Sequence, residues 1–140
     1  MRESNTSVSV LIADDSSVVR ERMAALLKEV PGVSVVGEAA TVSGTLDGLR
    51  RLRPSVLVLD LSMPGGSGLD VLRELGSHQP KPTVIVLTNY SFPEYEIEAC
   101  RLGASAFLNK STQFLKVADL VRDLADRSHP LAAGLTPEPL

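Results

Sequence analysis

The sequence predicts an α/β fold, a doubly wound five-stranded parallel sheet with five helices on its two faces. Three observations carry this. Short apolar runs rich in branched residues recur along the chain, segments of helical spacing separate them, and each crossover is long enough for a right-handed βαβ unit. At 140 residues the chain has the size of one ordinary domain. Its 44% hydrophobic and 22% charged content excludes disordered and collagen-like classes and promises a sizeable core.

Val8 to Ala13 is a buried strand that runs into the polar pair Asp14-Asp15. Ser16 or Ser17 then caps a helix in which Val19, Met23, Leu26, Leu27 and Val30 recur at three and four positions, closed by Pro31 and Gly32. Val33 to Gly37 alternates weakly and suits an edge strand, and Thr41 to Arg53 returns to helical spacing through Val42, Leu46, Leu49 and Leu52. Pro54 punctuates the chain before Val56 to Leu59, the strongest central strand, which ends on Asp60. After the turn Met63-Pro64-Gly65-Gly66, a third helix carries Leu69, Leu72 and Leu75. Val84 to Leu87 forms a fourth strand ending on Thr88, Phe92 to Leu102 a fourth helix stopped by Gly103, Ser105 to Leu108 a fifth strand, and Thr112 to Arg127 a fifth helix. Residues 1–7 are expected to be a disordered start, 8–127 the folded domain and 128–140 a flexible tail.

The 14 Lys and Arg against 17 Asp and Glu, net charge −3, argue against nucleic-acid binding driven by charge. Cys100 is the one cysteine and has no partner for an internal disulfide; His78 and His129 lie too far from it in sequence to form a zinc signature. Cys100 is expected to be a small core or half-buried residue, and both histidines to be solvated. No signal peptide or apolar span is present in the sequence, so a cytoplasmic protein without membrane insertion is expected.

In open parallel sheets, ligands bind beyond the carboxyl ends of the strands. Here those ends deliver Asp14 and Asp15, Asp60, Thr88 and, after Asn109, Lys110. Three carboxylates on one edge repel one another unless protons or a hard divalent cation neutralise them, and Mg²⁺ prefers oxygen ligands of this kind. A hydroxyl and an ammonium beside them suit phosphoryl oxygens. Together these groups describe phosphoryl transfer onto a carboxylate.

On these residues, together with Asp60-Leu61-Ser62-Met63-Pro64-Gly65 and Gly103-Ala104 leading to Phe107 and Lys110, the chain resembles the receiver domain of two-component response regulators, over Val8 to Arg127. Val36-Gly37-Glu38-Ala39, and a serine after Lys110, are similar to the receivers usually fused to a helix-turn-helix domain. The resemblance implies a flavodoxin-like strand order 2-1-3-4-5. It implies that Asp60 is the phosphoacceptor, taking phosphate from a histidine kinase or histidine phosphotransfer protein. Asp15, Asp60 and the backbone carbonyl of Ser62 would bind Mg²⁺, with Asp14 acting mainly through metal-bound water. Thr88 and Lys110 would each meet a phosphoryl oxygen. Thr88 and Phe107 would form a switch, and Tyr90 and Ser62 would influence how fast water removes the phosphate. The fourth helix, fifth strand and fifth helix would form the surface for a downstream protein partner or for dimerisation. Two departures stand out: Ser111 replaces a common proline, and the switch aromatic Phe107 lacks a hydroxyl.

Blander readings compete. Asp-Asp after a strand also serves turns and helix caps. The Arg50, Arg51 and Arg53 cluster is explained by the dipole at a helix C-terminus. In the fifth helix Phe114, Val117, Ala118, Val121, Leu124 and Ala125 make a core stripe, with Leu115 and Leu120 off it. Two rival functions are a Mg²⁺-dependent phosphatase of the haloacid dehalogenase type and a pseudo-receiver scaffold without phosphorylation. The first is disfavoured because its nucleophile follows the first strand in an Asp-x-Asp pattern, the second because the acidic, hydroxyl and lysine set is full. A signalling domain, acting catalytically only on its own phosphorylation and dephosphorylation, is expected rather than an enzyme. With only a helix and a short tail after Lys110, the chain reads as a stand-alone receiver or a piece of a longer regulator.

Overall fold

A computed structural model describes residues 8–77 and 80–128. The expected disordered start and His78 and His129 lie outside the described residues, as does all of the expected tail but Ser128.

The elements follow in the order β1 (Val8–Ala13), α1 (Ser17–Lys28), β2 (Val33–Ala39), α2 (Val42–Leu52), β3 (Val56–Leu59), β4 (Ser62–Met63), β5 (Gly66–Ser67), α3 (Gly68–Leu75), β6 (Thr83–Thr88), α4 (Pro93–Arg101), β7 (Ala106–Asn109) and α5 (Lys116–Ser128). The main sheet has five strands, all parallel, in the order β2-β1-β3-β6-β7. This is the order 2-1-3-4-5 when its strands alone are counted. The short β4 and β5 form a separate antiparallel pair, Ser62 opposite Ser67 and Met63 opposite Gly66, which the turn-like sequence around Pro64 did not reveal.

The central strands are apolar at every position but Ser9, Thr83 and Thr88 because both faces of the sheet are covered. Their alternation sorts them into two cores. Val8, Val10, Ile12, Val56, Val58, Ile85 and Leu87 pack with Met23 and Leu27 of α1 and Val117, Val121 and Ala125 of α5. Leu11, Ala13, Leu57, Leu59, Val84 and Val86 pack with Val42 and Leu49 of α2, Val71, Leu72 and Leu75 of α3, and Ala99 of α4. Each such fully buried aliphatic side chain contributes about 1.5–3 kcal/mol relative to exposure.

Helix starts follow the capping chemistry of the sequence. Ser16 caps α1, Thr41 caps α2, and Ser67 with Asp70 forms a capping box at α3. The fifth helix starts later than expected, at Lys116 instead of Thr112. Asn109 is the reason: its Oδ1 accepts from the N–H groups of Ser111 and Thr112 at 2.9 and 3.0 Å, holding residues 110–115 in turns. Phe114 therefore precedes the helix, half-buried against the core with the Arg22 guanidinium 5.2 Å above its ring. Leu115 is exposed as expected, whereas Leu120 packs partly against the core. Cys100 is exposed, contrary to expectation, because Ala99 is the α4 residue in that stretch that faces the sheet. Among the described residues no helix is long and apolar enough to cross a membrane.

Candidate functional site

The backbone ladders run one residue past the strands and so fix the acidic edge. The Asp14 N–H donates to the Ala39 carbonyl and the Asp60 N–H to the Ala13 carbonyl, both at 2.9 Å. Ala13 pairs with Leu59, which sets Asp14 and Asp60 side by side beyond the two central strands. On the far side the Lys110 N–H donates to the Thr88 carbonyl at 2.9 Å, bringing Lys110 to the same edge.

Asp14 and Asp60 are buried, 3% and 4% exposed, while Asp15 is exposed. One carboxylate oxygen from each of Asp14, Asp15 and Asp60 lies within 4.8 Å of the others. The Lys110 Nζ lies 2.7 Å from Asp14 Oδ2 and 2.8 Å from Asp60 Oδ2. Each buried carboxylate also takes a backbone donor: Ser16 N–H to Asp14 Oδ1 at 2.8 Å and Ser62 N–H to Asp60 Oδ1 at 3.3 Å.

Burial pushes the Asp14 carboxyl above its ordinary value, against the opposing bonds from Lys110 and the Ser16 N–H. Burial also works against the Lys110 ammonium, yet its bonds to Asp14 and Asp60 outweigh that and hold its pKa above the usual lysine value. The ammonium is therefore fixed in its charged form, and burial works against the charge on Asp14. Clustered hard oxygen donors with a raised carboxyl among them fit a small divalent cation.

Thr88 is fully buried at the end of β6, and its Oγ1 accepts from the Tyr90 N–H at 3.1 Å. Phe107 lies two residues before the end of β7, paired with Val86, and packs half-buried against the α2-α3-α4 core. Tyr90 is exposed and lies edge-on to Tyr95, ring centroids 6.3 Å apart. With Leu61, Ser62, Ser67 and Tyr95 it borders a groove of about 290 Å³ next to Asp60.

The structure thus brings Asp14, Asp15, Asp60 and Lys110 into one cluster, with Thr88 on the neighbouring strand end and Ser62 two residues beyond Asp60. Other residues support this site in ways the sequence did not signal. Arg20 donates from a guanidinium nitrogen to the Asp14 carbonyl at 2.7 Å and pairs with Glu38 at 2.9 Å, bracing the loop after β1. Asn109 donates to Ser91 Oγ at 2.7 Å, and Ser111 Oγ to Asn89 Oδ1 at 2.9 Å, so the loops after β6 and β7 are tied together. Gly68 matters for closeness: a Cβ there would overlap the Asp60 carbonyl oxygen. The Gly65-Gly66 pair signals a turn, but only the fold shows that α3 begins against Asp60.

The family model for the response regulator receiver domain matches residues 10–122. The chain belongs to the response regulator receiver family. As a receiver it is 35% identical over 117 residues to the DNA-binding transcriptional activator DevR/DosR of Mycobacterium tuberculosis, covering 84% of this chain and 54% of the relative. It is 34% identical over 118 residues to a protein-glutamate methylesterase/protein-glutamine glutaminase of Alkalilimnicola ehrlichii, covering 84% of this chain and 29% of the relative. The receiver therefore spans about half or less of these curated relatives. Among solved structures it is similar to the signal receiver domain of NarL from Mycobacterium tuberculosis, with TM-score 0.79 and 29% identity over 86% of this chain and 97% of that one. It is also similar to the response regulator domain of Thermotoga maritima CheB, with TM-score 0.74 and 26% identity over 93% of this chain and 98% of that one.

Membership in this family makes the domain a signalling module of two-component systems and does not favour the phosphatase and scaffold readings. The match runs from residue 10, within β1, to residue 122, within α5, so it covers every residue of the acidic edge.

Proposed function

We propose that Asp60 is the phosphoacceptor of this receiver and that a phosphohistidine of a kinase or phosphotransfer protein is the donor. The observation that carries this is the Lys110 ammonium, bonded at once to Asp60 and Asp14, the two buried members of a three-carboxylate cluster.

In the transfer, an Asp60 carboxylate oxygen attacks phosphorus in line as the phosphorus–nitrogen bond to the donor imidazole breaks. The imidazole nitrogen keeps the bonding electron pair. Asp60 needs no general base, because an ionised carboxylate has no proton to lose. The residues of the site contribute position and charge, which is most of what phosphoryl transfer requires. Lys110 moves from pairing with Asp60 to pairing with a phosphoryl oxygen. The Thr88 hydroxyl meets another such oxygen, and the Ser62 N–H keeps the remaining Asp60 oxygen in register. Asp15, Asp60 and the Ser62 carbonyl would hold Mg²⁺, with Asp14 acting through its water. Bound there, the cation supplies positive charge against the phosphoryl oxygens.

The output follows from the same residues. When Thr88 is drawn toward the phosphoryl group, Phe107 turns inward and the surface of α4, β7 and α5 changes what it binds, a downstream protein or a second receiver. A signal of this kind acts only through different contacts in the two states. The cytoplasm, where two-component donors meet their receivers, is the fitting compartment.

Incubation with Mg²⁺ and acetyl phosphate tests the assignment. Wild-type protein gains one phosphoryl group per chain and Asp60→Asn gains none while keeping its circular dichroism spectrum. Equal labelling of the two proteins would overturn it.

A further inference from the structure

At the pole of the sheet opposite Asp60, a cavity of about 530 Å³ opens between the end of α2 and the loop entering β6. Arg50, Arg53 and Lys81 line it over an apolar floor that includes Leu49, Pro54 and Leu75. The lining carries three cations and no carboxylate, in a chain of net charge −3.

Among the described residues, every other arginine has a use. Arg20, Arg51, Arg73, Arg101 and Arg122 are in ion pairs, Arg22 covers the Phe114 ring, and Arg127 donates to the Asp123 carbonyl. Arg50 and Arg53 alone have neither an acceptor nor a ring, and both face this cavity. The dipole at the end of α2 accounts for cations on that helix. It does not account for Lys81, which arrives from a different segment.

Arg53 adds a second, independent sign. It is the C-cap of α2 and, among the described residues, the one non-glycine with positive φ, at 45°. Helices favour glycine at such left-handed positions, since other side chains clash there. A long cationic side chain kept at this position points to something the cation does.

The geometry points to a binding site for a mononucleotide-sized organic phosphate. Guanidinium forks and an ammonium suit phosphate oxygens, the leucine and proline floor suits an apolar ring, and the volume falls in the range of small-molecule sites. The site lies far from the phosphoacceptor edge, so its failure would leave the phosphoacceptor assignment intact.

The test is a magnesium-free NMR titration of the full chain with ADP, run beside adenosine, inorganic phosphate and hexaglutamate. Saturable shifts are expected at the amides of Arg53, Ser55 and Leu75, with ADP at least about tenfold tighter than the other three. Arg53→Gly should weaken ADP about tenfold or more while leaving the thermal midpoint equal or higher, because it removes the left-handed strain. Lys81→Gln should weaken it in the same direction. The site is overturned if ADP shows no saturable shifts there, if Arg53→Gly and Lys81→Gln bind as wild type, or if the shifts gather around Asp14 and Asp60. Phosphate alone binding as well as ADP would overturn the nucleotide class, and hexaglutamate binding as well would make the surface a protein contact instead.

Discussion

The Lys110 ammonium lies 2.8 Å from Asp60 Oδ2, across 50 residues of sequence, and 2.7 Å from Asp14 Oδ2. One cation thus holds together the ends of two central strands and the loop after the edge strand β7. In the proposed transfer it also meets a phosphoryl oxygen.

Removing that cation should therefore cost stability as well as function. In Lys110→Ala two buried carboxylates face each other without a counter-charge, and in EDTA unfolding by urea should show a loss of about 1–3 kcal/mol. Mg²⁺ should restore part of it. A variant as stable as wild type in EDTA would show that the ammonium does not hold the cluster.

Asp14 should behave in the opposite way. Burial raises its pKa, so carrying the charge costs the fold stability relative to the unfolded chain, and Asp14→Asn removes that cost while keeping the shape. The thermal midpoint in EDTA at pH 7 should rise by a few degrees. The same substitution should weaken Mg²⁺ binding. A lower midpoint in EDTA would show that Asp14 contributes more through its bonds to Lys110 and Ser16 than it loses by burial.

Gly68 should tolerate no side chain. Because a Cβ would overlap the Asp60 carbonyl oxygen and press on Leu61, Gly68→Ala must displace the loop that carries Asp60. The expected destabilisation is about 1–3 kcal/mol, with slower labelling by acetyl phosphate. Wild-type labelling kinetics in this variant would mean that the loop yields without moving Asp60.

The proposed switch at Thr88 and Phe107 predicts a separation of acceptance from response. In Phe107→Ala, acetyl phosphate should still label the protein, yet hydrogen exchange over α4, β7 and α5 should no longer change on phosphorylation. If wild-type protein shows no such change either, or if Phe107→Ala responds in full, the signal leaves the site by another route.

The cluster was legible in the sequence because its physics is local to strand ends. A run such as Val56 to Leu59 is buried on both faces, and a carboxylate at its mouth has few structural reasons to be there. The misses came from side chains acting on the backbone. Asn109 looks like any strand-end polar residue, and its three-way bond to Ser111 and Thr112, which delays α5, depends on the turn it creates. Cys100 and Ala99 are small neighbours of types that are both often buried, and only the angle at which α4 meets the sheet decides which is buried. Arg51 and Arg53 read alike in sequence, yet one pairs with Asp47 and the other sits at positive φ beside a cavity.

The most direct test of the central claim is peptide-level mass spectrometry of the wild-type chain after reaction with Mg²⁺ and acetyl phosphate. A single phosphoryl group on Asp60, absent when Mg²⁺ is replaced by EDTA, is the predicted result. A phosphoryl group on any other residue, or none at all with the fold intact, would contradict it.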